Sequence, residues 1–226
     1  MVGAIDSLRP ALQAAAEQLT LTLSPQQADA LIGYLALLQR WNSTYNLTSV
    51  REPAQMLTQH VADCLAVIGP LRERIGGRAI RLLDVGSGGG LPGVVIATLC
   101  PGAEVTCVDS VGKKAAFVQQ LAGELHLRNL HSKHARVEQL SADPFAVVTS
   151  RAFASLGDFV QLTRPLLAED GIWMAMKGKY PGGELTQLPP DIDVFHVEQL
   201  QVPALEAKRC LVWMRMKQGS LGPPSL

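Results

Sequence analysis

The residues with the clearest chemical content are two aspartates and the glycines that lie between them. Asp84 falls near the end of an apolar run over residues 79–85, and Gly86, Gly88, Gly89, Gly90 and Gly93 follow directly. Asp109 stands 25 residues after Asp84, at the end of a second apolar run over residues 104–108. Strand, glycine turn and apolar helix (residues 94–99), in that order, make the opening unit of a nucleotide-binding α/β domain. A glycine pattern alone says little about the ligand; the acids say more. A carboxylate beside a bound pyrophosphate repels it, so a dinucleotide fits poorly. A cationic ligand without phosphate fits well, and S-adenosylmethionine, with its amino group and sulfonium, is one. On this reading Asp84 faces the cation and Asp109 accepts both ribose hydroxyls. The plainer alternative has Asp84 capping a turn and Asp109 as an ordinary strand-end acid.

The elements that must position these groups can be read from periodicity. Apolar residues at helical spacing predict a helix over residues 4–20. Ser24, Pro25 and Gln27 carry the cap, first-turn proline and third-position glutamine of a helix start, and the helix should run to about residue 42. A polar loop (42–51), a third helix (53–68) and a connector (72–78) complete an N-terminal helical cap, residues 1–75. The core, residues 76–217, continues as strand 104–108, helix 112–126, strand 130–134, a turn or short helix at 136–141, strand 145–149, helix 155–167 and strand 171–177. A helical turn at 184–188 and β-type runs at 193–202 and 210–216 finish it. The expected fold is α/β: a Rossmann-like, mostly parallel seven-stranded sheet with an antiparallel closing hairpin. That is the class I S-adenosylmethionine-dependent methyltransferase topology, not that of dehydrogenases. Residues 218–226 are rich in Gly, Pro and Ser and are expected to be a disordered tail.

Composition sets outer limits. With 47% hydrophobic and 18% charged residues the chain reads as soluble and globular. No apolar run reaches the roughly 18 residues of a membrane span, and no secretory signal is visible, so the cytoplasm is the expected location. Cys64, Cys100, Cys107 and Cys210 share no short-spaced metal pattern; reduced thiols and no metal site are expected. Net charge is zero, but residues 1–110 hold 7 Lys/Arg against 9 Asp/Glu, whereas residues 111–226 hold 13 against 11. Lys113 with Lys114, Lys133 with Arg136, Arg151, Lys177 with Lys179, and Lys208 with Arg209 gather where the ligand face should open. A local basic rim of this kind could hold a few phosphates; solvated surface charge is the alternative for each.

The reaction class is narrowed by what is missing. Enzymes that methylate exocyclic amines carry an Asn/Asp-Pro-Pro-aromatic turn after the fourth strand, and here Thr149-Ser150-Arg151-Ala152-Phe153 takes that place. No cysteine stands there as the nucleophile that cytosine-C5 enzymes need, and no His/Asp pair is plainly set as a general base. An acceptor that needs no deprotonation fits all three absences, and guanine N7, with a free in-plane lone pair, is one. Catalysis would then be mostly positioning for in-line displacement, worth about 7–11 kcal/mol at most.

At this point the residues resemble a known family, the bacterial small-subunit ribosomal RNA guanine-N7 methyltransferases, also called glucose-inhibited division protein B. The resemblance covers about residues 25–217. It is carried by Trp41-Asn42 with Tyr45-Asn46-Leu47-Thr48, by His60 to Leu65, by Asp84 to Gly93, by Asp109 to Lys114, by Ala135 to Glu138, by Ser150 to Leu156, by Met176-Lys177-Gly178 and by Val202 to Leu205. It implies N7 methylation of one guanine in 16S ribosomal RNA; naked RNA and the 30S subunit both stay open as the substrate, and a monomer that needs no membrane is the default expectation. It further implies cofactor contacts from Gly86, Gly88, Gly90 and Leu91, with adenine read by Val137 and Glu138. Arg151 corresponds to a pocket-floor position that touches the methionine end or the incoming base, where O6 or a phosphate is its better partner because N7 must stay free. Ser87 and Gly89 depart from the family's usual Thr and Pro without altering the chemistry.

Other candidates carry plainer alternatives. Lys113, Lys114, Arg136 and Lys177 are candidate RNA contacts. Trp41 and Tyr45 could stack bases, although an aromatic near a helix end more often packs. His60 and Asp63 share a helix face and read as a hydrogen-bonded link between cap and core rather than as a catalytic pair. A non-catalytic nucleotide-binding module, or a methyltransferase of proteins or small molecules, is the competing function.

Overall fold

The computed structural model describes residues 5–217, so the expected tail at 218–226 lies outside the described residues. Among the described residues helical segments lead: α1 (Arg9–Gln18), α2 (Pro25–Tyr45), then α3 (Pro53–Met56), which passes through a π-helical stretch (Leu57–Ala62) into α4 (Asp63–Leu65). The expected capping box is present at α2. Ser24 Oγ accepts from the Gln27 N–H at 3.2 Å while Gln27 Oε1 accepts from the Ser24 N–H at 3.0 Å. The expected connector is instead largely helical, as α5 (Ile68–Ile75). Pro70 does not prevent this, because proline is tolerated in a first helical turn, where its missing N–H has no partner to lose.

The remainder alternates as expected: β1 (Ile80–Val85), α6 (Gly93–Leu99), β2 (Ala103–Asp109), α7 (Gly112–Glu124), β3 (Leu130–His134), a 3-10 turn (Val137–Gln139), β4 (Phe145–Ser150), α8 (Leu156–Thr163), a second 3-10 turn (Arg164–Leu166), β5 (Leu167–Lys177), α9 (Gly182–Leu185), β6 (Ile192–Leu200) and β7 (Arg209–Met216). One seven-stranded sheet results, in the order β3-β2-β1-β4-β5-β7-β6. All pairs are parallel except β5 with β7 and β6 with β7. Chain order reverses between β1 and β4, which opens a crevice at their carboxyl ends.

Strand alternation gives each sheet face its own core. On one face Leu82, Val105, Val147, Met174 and Trp213 pack with α6, α7 and the cap, whose Leu31, Leu35, Val61 and Leu71 belong to the same continuous cluster. On the other face Leu83, Val108, Val148, Trp173 and Val212 pack with Phe159 of α8. Polar links also tie the cap to the end of α6: Gln27 Nε2 donates to the Thr98 carbonyl at 3.2 Å, and Arg72 donates to that of Leu99 at 2.7 Å. Among the described residues no helix is long and apolar enough to cross a membrane.

Candidate active site

Two adjoining cavities occupy the crevice. The larger, about 450 Å³, is lined by the glycine turn, by cap residues including Tyr34, Thr48, His60 and Asp63, and by Arg151, Lys177 and Arg209 from the sheet side. The smaller, about 230 Å³, lies beyond Gly86 and Ala152, which line both, and reaches Asp109, Arg136, Val137 and Glu138.

The turn between them is shaped from several sides. Gly86, Gly88 and Gly90 all have positive φ. A Cβ on Gly88 would meet nothing within 4 Å, so bare backbone faces the open cleft there. Gly90 points the other way: with φ +83°, a Cβ would lie 2.7 Å from Val94 Cγ2 and 3.1 Å from Val118 Cγ2. Its place is against α6 and α7, and it lines neither cavity, in contrast to the cofactor contact expected of it. Gly89, for which the sequence suggested no role, lines the larger cavity together with Leu91, and its carbonyl accepts the Tyr34 hydroxyl at 3.0 Å.

The two aspartates have separate fates. Asp109, almost buried at the end of β2, lines the smaller cavity; its Oδ2 accepts from the Gly88 N–H at 2.9 Å and its Oδ1 from the Val111 N–H at 2.8 Å. Each carboxylate oxygen has a further acceptor site, and Lys114 Nζ stands 4.0 Å from Oδ2. Asp84 is fully buried beneath the turn and lines neither cavity. Its Oδ2 accepts from the Gly93 N–H at 2.8 Å, with Cys107 Sγ at 3.9 Å, while Oδ1 has no partner among the described residues. Burial pushes its pKa up to about 7, against the opposing pull of the Gly93 N–H and Arg151. The expected direct contact of Asp84 with a cationic ligand is therefore corrected. The strand pleat and the first turn of α6 turn this side chain inward, and it holds the turn from below.

The cap supplies the carboxylate that does face the larger cavity. Asp63, 2% exposed, accepts from Arg151 Nη1 at 3.0 Å through Oδ2 and from Arg209 Nε at 2.6 Å through Oδ1. Asp63 thus makes the cap-to-core link anticipated for the pair, with two arginines as partners, whereas His60 bonds within the cap. Burial pulls against the charge of Arg151, but the Asp63 carboxylate to which it donates helps to outweigh that pull and raise the pKa. His60 joins Thr48 Oγ1 at 2.9 Å, and burial together with the charge of Arg151 lowers its pKa, favouring the neutral ring.

The basic candidates also divide. Lys177, 14% exposed along its side chain, pairs with Glu184 at 2.8 Å, so its charge is neutralised within the protein rather than offered to a phosphate. Lys113 is exposed and donates to the Tyr45 carbonyl at 2.8 Å, closing the end of α2. Arg136 and Glu138 are exposed at the rim of the smaller cavity, and Val137 is buried in its wall. Trp41 packs on Phe117 with ring centroids 5.3 Å apart, as the packing reading expects.

Comparison with known proteins bears on this site. The family model for rRNA small subunit methyltransferase G matches residues 27–212. The protein named ribosomal RNA small subunit methyltransferase G from Leptothrix cholodnii is 61% identical, over 92% of this chain and 95% of its own. Its namesake from Methylibium petroleiphilum is 57% identical, over 93% and 96%. Among solved structures, Thermus thermophilus TrmN is similar with TM-score 0.53 and 17% identity, over 71% of this chain and 53% of its own. A Burkholderia thailandensis 1,6-didemethyltoxoflavin-N1-methyltransferase, solved with S-adenosylhomocysteine, gives 0.54 and 18%, over 82% and 89%. At such identities the two structures speak for the fold alone.

Proposed function

The chain belongs to the rRNA small subunit methyltransferase G family, and from that premise we propose how its cleft serves the reaction. The protein is an S-adenosylmethionine-dependent methyltransferase whose acceptor is guanine N7 in small-subunit ribosomal RNA. The observation that carries the site assignment is the pairing of the two cavities across the bare turn at Gly86 and Gly88, with Asp109 on one side and Arg151 on the other. Those residues fit the cofactor: the smaller cavity offers Asp109 the two ribose hydroxyls, with Val137 and Glu138 beside the adenine, and the open backbone at Gly88 admits a methionine chain. Gly86 and Leu91 line the path, while Asp84 and Gly90 keep the turn in shape from behind.

Bound there, S-adenosylmethionine supplies an electrophilic methyl group on a sulfonium for in-line transfer to N7. The N7 lone pair needs no base to expose it, and this suits a cavity in which His60 is neutral and hydrogen-bonded to Thr48. Arg151, fixed by Asp63, directs its remaining N–H groups to guanine O6 or a neighbouring phosphate and orients the base edge. Lys113, Lys114 and Arg136 lie on the outer rim as phosphate contacts, each worth a modest, salt-dependent share of RNA affinity. The protein acts in the cytoplasm as a monomer.

Labelled methyl transfer to naked 16S RNA, to 30S subunits and to free protein tests the reading. The expected result is label in RNA, recovered as 7-methylguanosine, and comparison of the two RNA forms identifies the true substrate. Label confined to protein or to a small molecule would remove the proposal.

A further inference from the structure

We propose that Asp63, a residue of the cap, is the electrostatic counterweight that lets a cationic methyl donor share the larger cavity with two arginines. The inference rests on the cofactor reading above. The charged side chains lining that cavity are Asp63, Arg151, Lys177 and Arg209. Lys177 is cancelled by Glu184 at 2.8 Å. Among the described residues Asp63 alone answers Arg151 and Arg209, one carboxylate oxygen to each, so the three groups together carry one positive charge. Without Asp63 they would carry two, in a setting where the side chains of both arginines are about three-quarters buried. Of the other carboxyls around it, Glu184 is taken up by Lys177, Asp109 faces the smaller cavity, and Asp84 lies sealed under the turn and lines neither cavity.

The donor differs from its demethylated product, S-adenosylhomocysteine, by the charge on sulfur. An uncompensated arginine pair therefore penalises the donor and leaves the product almost untouched. Asp63 is a positioning residue as well, because both guanidiniums take their aim from it. Its electrostatic part is separable, since orientation affects donor and product alike whereas charge does not.

Calorimetric titration of donor and product separates the two parts in wild type, Asp63→Asn, Arg209→Gln and the double variant. One charge acting across a cavity of this size, at an effective dielectric near ~20, changes affinity by roughly tenfold. Asp63→Asn should lower the ratio of donor to product affinity by that order, Arg209→Gln should raise it, and the double variant should return it to the wild-type ratio. Equal losses for both ligands in Asp63→Asn, or a ratio that does not move, would overturn the proposal. Should Asp63→Asn fail to fold, Arg209→Gln decides alone: an unchanged ratio overturns it. Failure of the wild-type protein to bind either ligand would instead strike the cofactor reading itself.

Discussion

Neutralising Asp84 should change how the stability of this protein depends on pH. Its carboxyl is wholly buried, accepts one backbone N–H and leaves Oδ1 unpartnered, and its pKa rises from 3.8 to about 7 on folding. Between those values the folded chain keeps a proton that the unfolded chain has released. The stability this group contributes is therefore complete below the unfolded pKa and is lost as pH rises through about 7. The full shift corresponds to about 4 kcal/mol, of which about 3 kcal/mol falls between about pH 5 and about pH 8. Asp84→Asn keeps the shape and an acceptor for the Gly93 N–H but cannot titrate. Urea unfolding of both proteins at the two pH values, fitted with a shared slope, yields the difference of differences. Wild type should lose about 3 kcal/mol relative to the variant on going to the higher pH, or about 6–12 °C in Tm. A wild-type-to-variant difference that is the same at both pH values would refute the reasoning, since it would mean that the buried carboxyl ionises without cost.

Three further outcomes are expected. Asp109→Ala removes the acceptor proposed for two ribose hydroxyls and orphans the Gly88 and Val111 N–H groups; cofactor affinity should fall about a hundredfold by calorimetry, at about 1.5 kcal/mol per charged hydrogen bond. Tyr34→Phe keeps the packed ring and deletes the bond to the Gly89 carbonyl, so thermal unfolding should show a loss of about 1 kcal/mol and titration a weaker cofactor complex. Gly90→Ala forces a side chain to within 2.7 Å of Val94 at φ +83°; urea unfolding should reveal a loss of at least about 2 kcal/mol.

The architecture was largely legible because each local signal agreed with the next. Apolar runs of strand length, glycines after β1 and the Ser24/Gln27 box all mark boundaries that backbone chemistry enforces. The direction of Asp84 was not legible. A residue at a strand end can point into a crevice or under the following helix, and only the pleat and the first turn of α6 decide between them. Gly93 shows the same logic from the other side: a Cβ there would sit 2.4 Å from Cys107 Sγ, so the closeness of helix to strand requires it. Asp63 and Arg209 are 146 residues apart, and no spacing rule pairs them. Lys177 looked available because its neighbour Glu184 belongs to a separate turn whose position the strand pattern does not reveal.

The cluster of apolar side chains running unbroken from the leading helices into the sheet limits how such a protein can diversify. A chain cut before Gly76 would leave one flank of α6, including Val94 and Ile96, stripped of Leu31, Leu35 and Val61, and it would lose Asp63 and Tyr34 in the same stroke. The leading helices therefore cannot be exchanged wholesale for another recognition piece without melting what they rest on. Sequence change is left to the exposed outer edge, where it disturbs neither the common interior nor the fixed chemistry below it.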